Sequence, residues 1–484
     1  MAKNSSIHLW DNSWHVSEPA EGQKDYFGRT PKPLKKDSND DICLRALSAS
    51  SIGELMDSDG CEVFVWPNSI NKGNEGLKAQ YIFQVTENNG KDINSVTTGN
   101  VMGFIGKDTG KKQTNIRIHS RFTSSNDNDF FLYYMLEKVL AINAFSLSSS
   151  GKEPEVFDFL LFFFPKLLKE ALSQGVYKKY VYHEYNDANI RGAVDANRHI
   201  RLNIPANGKI AYRTREFSYD NPVTQLIRHT IEFIRRKQFG KAALHNDSDT
   251  EGCVQQIVQA TPTFQPQQRQ AIINENLRPV VHPYYTKYAA LQNLCLRILR
   301  HEKLSYDQAN DNKIHGMLID AAWLWEEYIA HVLSEKSEFK HYTRTKAFNL
   351  LETENGKSFQ QVIPDYLDDS DPNNIWVADA KYIPLHRRDH LDTDSAAAVY
   401  YKTIMYMYRF SSNKGFLFHP IPENESEKTE STYKIIDTGG SLHEIGLVIP
   451  TIGDRDDYSS YKDKMKNSED EFIKSIQNGI KEIV

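Results

Sequence analysis

At 484 residues the chain is too long for one ordinary domain, and two or three are expected. Hydrophobic residues at 39% and charged residues at 25% describe a soluble globular protein with enough apolar material for real cores. A formal charge of −6 sets it apart from freestanding DNA-binding proteins, which are basic at least locally, so any nucleic-acid contact must come from a local patch or a partner.

Residues 1–120 read as β-rich and loop-heavy, with apolar stretches at Cys61–Trp66, Tyr81–Val85, Val101–Ile105 and Asn115–His119 between Gly, Asn, Asp and Ser clusters. Two helices follow, Phe130–Ile142 and Glu155–Leu172. The run Val156–Leu168 is interrupted by Asp158, Pro165 and Lys166 and is too short to cross a bilayer. Strands are expected at Tyr177–Tyr185, Ile200–Ile204 and Lys209–Arg213, with Asn207-Gly208 as the hairpin turn of the last two. Asp220-Asn221-Pro222 opens a helix to about Lys237, and helical patterns return at Pro283–Arg300, Ile314–Leu333 and Ala396–Phe410. Strands and an amphipathic helix around Phe472, Ile473, Ile476 and Ile480 close the chain. Basic clusters at residues 176–216 and at Arg228, Arg235, Arg236, Lys237 and Lys241 read either as nucleic-acid contacts or as solvated faces. Cys43, Cys61, Cys253 and Cys295 match no metal or redox spacing, and free thiols in a reducing cytoplasm are the simple inference. The N-terminus has no apolar signal core.

The chemistry concentrates at Ile363-Pro364-Asp365 and Asp379-Ala380-Lys381. Phe359–Leu367 and Ile375–Ile383 read as two strands around the turn formers of 368–374. In an antiparallel hairpin, opposed residues are equidistant from the turn centre, and Asp365 and Asp379 are both seven residues from Pro372. They should therefore face each other within a residue or two, opposed Cβ atoms being about 4.5–5.5 Å apart. That is close enough for both to reach one Mg²⁺ at about 2.0–2.1 Å. Lys381, two residues beyond Asp379, projects from the same face, where its amine is able to hold a scissile phosphate or help activate water. Ile375, Val377 and Ile383 share this alternation, so the charged groups interrupt an apolar face and need partners or a metal. A chance pairing of Pro-Asp with Asp-x-Lys is the bland alternative.

On the upstream helix, Leu318, Ala322, Trp325, Ile329, Val332 and Leu333 form an apolar stripe. Glu326 sits on its rim, either as a third metal-binding acid or as a surface acid, and Glu327 points to solvent. His386, Arg387 and Arg388 read equally as DNA-backbone contacts or as a polar loop. Lys402 faces the site or solvent. No GxxxxGK[ST] phosphate loop is present, so nucleotide hydrolysis would reside in another chain.

Leu324-Trp325-Glu326-Glu327-Tyr328-Ile329, Val362-Ile363-Pro364-Asp365 and Val377-Ala378-Asp379-Ala380-Lys381-Tyr382 resemble the nuclease core of the PD-(D/E)xK superfamily. More narrowly they resemble the McrC-type subunits of McrBC-like restriction systems, as do Arg191-Gly192-Ala193-Val194-Asp195, Arg215-Glu216-Phe217-Ser218 and Asp220-Asn221-Pro222. Family members often carry a glutamine where this chain has Lys402.

The resemblance implies an α/β fold (α+β overall) with a mixed central sheet in the nuclease domain at 311–484. A β-rich module at 1–125 and a mixed helical and strand partner-binding region at 126–310 would precede it. It implies a type II/IV-like, Mg²⁺-dependent restriction endodeoxyribonuclease in a two-component anti-phage defence system. Asp365, Asp379 and Glu326 would bind the metal, and Lys381 would assist hydrolysis. The implied partners are an McrB-like AAA+ GTPase, whose GTPase the subunit stimulates, and double-stranded DNA. No membrane is involved, and two nuclease subunits would associate for double-strand cleavage. The aromatic helix Phe157–Phe164 is a natural docking surface, unless its rings are core. A noncatalytic regulator of an AAA+ motor and a repair or transposition nuclease are the alternatives.

Overall fold

Short runs of β-branched and aromatic residues near the N-terminus build a five-stranded mixed sheet in the order Ser5–Trp10, Gln113–His119, Val101–Asp108, Ile314–Asp320, Cys61–Trp66. The structure, a computed structural model, describes residues 5–23, 30–34, 38–58, 61–67, 78–88, 92–108, 113–123, 129–140, 156–237, 244–245, 247–304, 314–342, 348–372, 374–385, 393–453 and 457–481. Ile7, Leu9, Val63, Val65, Ile105, Ile116 and Ile118 pack beneath this sheet against Cys43, Leu44 and Leu47 of the helix Ser38–Ser48. A four-stranded sheet, Lys32–Pro33, Trp14–Val16, Asp92–Thr98 and Phe83–Asn88, lies beside it in sequence.

Ile314–Asp320 is a strand rather than the start of a helix. It pairs in parallel with Cys61–Trp66 and antiparallel with Val101–Asp108, so Met317, Leu318 and Ile319 are buried in the middle of the sheet. A continuous apolar run buried on both faces carries no periodicity to separate it from a helix. Gly103 allows the close pairing opposite Leu318: its φ is +124°, and a Cβ there would lie 2.2 Å from the carbonyl oxygen of Met317. Asp320 then caps the helix Ala321–Lys336, accepting from the N–H groups of Ala322 and Trp323.

The second large sheet has six strands in the order Lys340–His341, Tyr366–Asp368, Trp376–Ala380, Lys414–Pro422, Ser441–Ile449, Glu430–Lys434. Its three central strands run parallel, and both edges are antiparallel. The helix Thr393–Arg409 is the crossover between Trp376–Ala380 and Lys414–Pro422. It covers one face, where Tyr406 and Met407 pack with Val377, Leu417 and Leu442. On the other face Phe416 and Phe418 meet Phe339 and, from the helix Tyr458–Lys481, Phe472. Glu469 of that helix is buried and accepts from Tyr134 Oη at 2.9 Å, Tyr328 Oη at 2.8 Å and Lys138 Nζ at 3.3 Å, tying it to Phe130–Leu140 and Ala321–Lys336. The chain is a mixed α/β fold. Residues 1–151 with 309–484 form one compact unit, which holds both large sheets, and residues 152–308 form the other.

In the unit 152–308, the helix Tyr288–Leu304 packs on Val156–Leu172 and Pro222–Arg235 through buried Leu291, Leu294 and Ile298. Asn221 caps Pro222–Arg235 in a reciprocal capping box with Thr224. A three-stranded antiparallel sheet joins Ala193–Val194, Ile210–Ser218 and Lys179–Asp187. The strand expected at Ile200–Ile204 is instead part of the helix Ala196–Asn203 and the residue after it, capped by Asp195. Ile200, Leu202 and Ile204 alternate as in a strand, yet all three are exposed, so the alternation marks no buried face. Asn207-Gly208 therefore joins a helix to a strand.

Candidate active site

The strand Ser358–Val362 pairs with Phe348–Glu352 in a hairpin of its own and ends before Ile363-Pro364. The expected single strand Phe359–Leu367 is thus divided, and only Tyr366–Asp368 enters the six-stranded sheet. The register there is the expected one. Tyr366 opposes Ala378, Leu367 opposes Val377 and Asp368 opposes Trp376, each pair equidistant from Pro372. Asp365, one residue before Tyr366, is thereby brought to Asp379, and its Oδ2 accepts from the Ala380 N–H at 2.9 Å.

Asp379 is fully buried on the face covered by Thr393–Arg409, in the row of Leu417 and Glu444. The Lys381 N–H donates to Phe418 O at 2.8 Å and carries the parallel pairing past Ala380. Tyr382, next in sequence, is buried, with its hydroxyl 2.7 Å from Ser120 Oγ and the Arg121 guanidinium 4.5 Å above its ring. Lys381 is therefore held at the backbone on both sides. Its Nζ forms a direct ion pair with Asp379 Oδ2 and lies 3.8 Å from Asp365 Oδ2 and 3.2 Å from Ala380 O. Lys402, from the covering helix, reaches Asp379 Oδ1 at 3.4 Å.

Two carboxylates in a buried site do not ionise alike. Burial, and after it the Asp379 charge, push Asp365 well above the usual carboxylate range. Burial acts on Asp379 in the same sense, but Lys381 and then Lys402 outweigh it and hold Asp379 below its ordinary value.

Glu326 lies near this pair but is engaged elsewhere. Its Oε1 is 3.1 Å from His341 Nε2, and its backbone carbonyl accepts from the Tyr366 hydroxyl. Burial would lower the His341 pKa, but the Glu326 partner outweighs that and raises it. Glu327, expected in solvent, is half-buried like Glu326. Among the described residues no three Asp, Glu, His or Cys side chains converge into a metal-binding group. The donors the site does offer are Asp365 Oδ2, Asp379 Oδ2 and the Ala380 carbonyl, three hard oxygens around the one positive charge of Lys381. Asp379 Oδ2 is buried and in direct contact with that charge. This donor set fits a hard divalent cation such as Mg²⁺, which takes one or two carboxylates and keeps several waters.

Lys402 is the site residue that sequence alone leaves open. The available signal is its i, i+4 spacing to Tyr406, whose ring its Nζ approaches to 5.4 Å. His386, Arg387 and Arg388 lie outside the described residues, as does Lys241. The basic clusters are partly neutralised locally. Arg228 and Arg235 both pair with Glu232, Arg198 with Glu184 and Arg213 with Asp195. Of the aromatic helix, Phe163 and Phe164 are fully buried core residues, not docking surface. Cys43, Cys253 and Cys295 are free thiols. Among the described residues no helix is long and apolar enough to cross a membrane.

The family described as McrBC 5-methylcytosine restriction system component matches residues 96–420. Among solved structures, a chain of the refined half-complex from the tetradecameric assembly of Thermococcus gammatolerans McrB AAA+ hexamers with bound McrC is similar over 98% of this chain and 100% of its own, at 14% identity and a TM-score of 0.46. A chain from the cryo-EM structure of the Thermococcus gammatolerans McrBC complex is similar over 69% of this chain and 88% of its own, at 14% identity and a TM-score of 0.30. No curated protein matches the sequence.

Proposed function

The chain belongs to the McrBC 5-methylcytosine restriction system component family, and we propose that it is the DNA-cleaving subunit of such a system, a Mg²⁺-dependent endonuclease of the PD-(D/E)xK type. The observation that carries this reading is the gathering of Asp365 Oδ2, Asp379 Oδ2 and Ala380 O around the Lys381 ammonium. A divalent ion held by these oxygens supplies charge neutralisation at the scissile phosphate and lowers the pKa of the attacking water.

The chain's own residues do the rest. Lys381, fixed at its backbone by Phe418, turns its amine from the acids to a phosphoryl oxygen and opposes the charge that develops there. Water gives up a proton to solvent as it adds to phosphorus and the bond to the leaving oxygen breaks, and that oxygen takes up a proton from solvent. Lys402, 3.4 Å from Asp379 Oδ1, holds that carboxylate from the side away from Lys381. Glu326 and His341 brace the edge strand Lys340–His341 against the helix that carries Glu326.

The partners we assign are double-stranded DNA and an AAA+ GTPase of the McrB kind. The net charge of −6 and the lack of a phosphate-loop motif support that division of labour, since phosphate neutralisation drives unaided DNA affinity. A cytoplasmic location follows from this reading, and pairing of two nuclease subunits would provide double-strand cleavage. The test is a plasmid assay with the GTPase partner, GTP and Mg²⁺. Cutting that stops on chelation and returns with added Mg²⁺ supports the proposal. Cutting that persists at full rate without divalent ions, or no cutting of any DNA with the partner bound, rejects it.

A further inference from the structure

Asp379 already carries a cation on each of its oxygens. Lys381 occupies Oδ2, together with Asp365 Oδ2 and Ala380 O, while Lys402 occupies Oδ1 from the opposite element. A site for two divalent ions, about 3.5–4 Å apart, needs a carboxylate shared between them and further donors on both sides. Here the donors are one-sided. The Ala380 carbonyl and Asp365 lie with Lys381, and Glu326, a further acid near the pair, is bound to His341.

Lys402 is an exposed residue, but its ammonium is seated against the site. Its nitrogen lies 5.4 Å from the centre of the Tyr406 ring, and the Tyr406 hydroxyl donates to Ile363 O at 2.8 Å, two residues before Asp365. Two residues before Lys402 on the same helix, the Tyr400 hydroxyl donates to buried Glu444, whose other oxygen accepts from Tyr433 at 3.1 Å. Glu444 stands in the same row of the sheet as Asp379, with Leu417 between them. The helix that presents Lys402 is thus fastened to the catalytic sheet on both sides of that residue.

Resting on the nuclease reading above, we propose that Lys402 is a built-in second cation that limits the site to one divalent ion per chain, held on the Lys381 side of Asp379. The charges agree. Two carboxylates are balanced by two ammonium groups, and one divalent ion leaves the excess positive charge that a phosphodiester and a hydroxide can use. A second divalent ion would meet the Lys402 ammonium at Oδ1, the oxygen it would have to share. Lys402 acts here as a positioning residue for the metal, through Asp379.

The test is a count of bound Mn²⁺ on the full-length chain by electron paramagnetic resonance. The ions that belong to the site are those lost in Asp379→Asn, with thermal melts showing that each variant is folded. The wild type and Lys402→Arg are expected to hold one such ion, and Lys402→Gln, which frees Oδ1 and offers an amide oxygen beside it, to hold two. Two ions in the wild type, or one in Lys402→Gln, would overturn the one-ion inference and leave the nuclease reading standing. If Asp379→Asn and Asp365→Asn bind as many ions as the wild type, the metal site itself is wrong and both readings fall.

Discussion

The Asp365 carboxylate accepts a hydrogen bond from the backbone N–H of Ala380 at 2.9 Å, so the first acid is fastened to the residue after the second. That bond holds two like charges together in a buried site, which burial and Asp379 together resist by raising the Asp365 pKa. Asp365→Asn keeps an oxygen to accept the bond and removes the repulsion. The variant should be more stable than the wild type by about 1 kcal/mol in chelator, as measured by urea unfolding, while losing cleavage. A less stable variant would mean that the carboxylate serves the fold and not the reaction.

Glu469 is the buried acceptor for two tyrosine hydroxyls and Lys138. Glu469→Ala strands these donors and should cost roughly 3 kcal/mol, whereas Glu469→Gln, which keeps an acceptor, should cost on the order of 1 kcal/mol. Equal losses in the two variants would show that packing, not hydrogen bonding, joins these helices.

His229 is buried against Phe264, and burial, then Arg269 and Arg228, lower its pKa to about 4. The unfolded chain, with a pKa near 6.5, therefore binds the proton first. Stability from this group is complete above about pH 6.5 and falls as pH drops towards 4, by up to ~3 kcal/mol. Hydrogen exchange in Pro222–Arg235 should accelerate between pH 7 and pH 5 after correction for intrinsic rates, and His229→Phe should flatten that dependence. An unchanged dependence in the variant would assign the acid sensitivity to another group.

Glu326 bonds His341 and not the acid pair. Glu326→Gln should consequently slow cleavage by about 10-fold, the scale of a supporting interaction, and leave the count of bound Mn²⁺ unchanged. Loss of a metal ion in this variant would make Glu326 a ligand, as the family resemblance implies.

The register of the acid pair is legible in the sequence because the turn formers of 368–374 set the hairpin centre at Pro372, and a centre determines every opposed pair. The role of Glu326 is less legible. Helix periodicity puts it on the rim of the apolar stripe, but His341, its partner, arrives from a strand that periodicity does not reveal. The strand Ile314–Asp320 is hidden for a different reason. Its neighbours at Cys61–Trp66 and Val101–Asp108 lie more than two hundred residues earlier, and a strand buried on both faces has no alternation. Lys402 becomes a site residue only once the crossover helix is folded onto the parallel strands, a tertiary event that its i, i+4 spacing to Tyr406 does not reveal.

The most direct test of the account is DNA cleavage by the full-length chain with its AAA+ GTPase partner and Mg²⁺, comparing wild type with Asp379→Ala. Both proteins must first be shown folded and partner-bound. The account predicts that the variant cuts at least about 100-fold more slowly while still accelerating the partner's GTPase. A variant that cuts as fast as the wild type would contradict it.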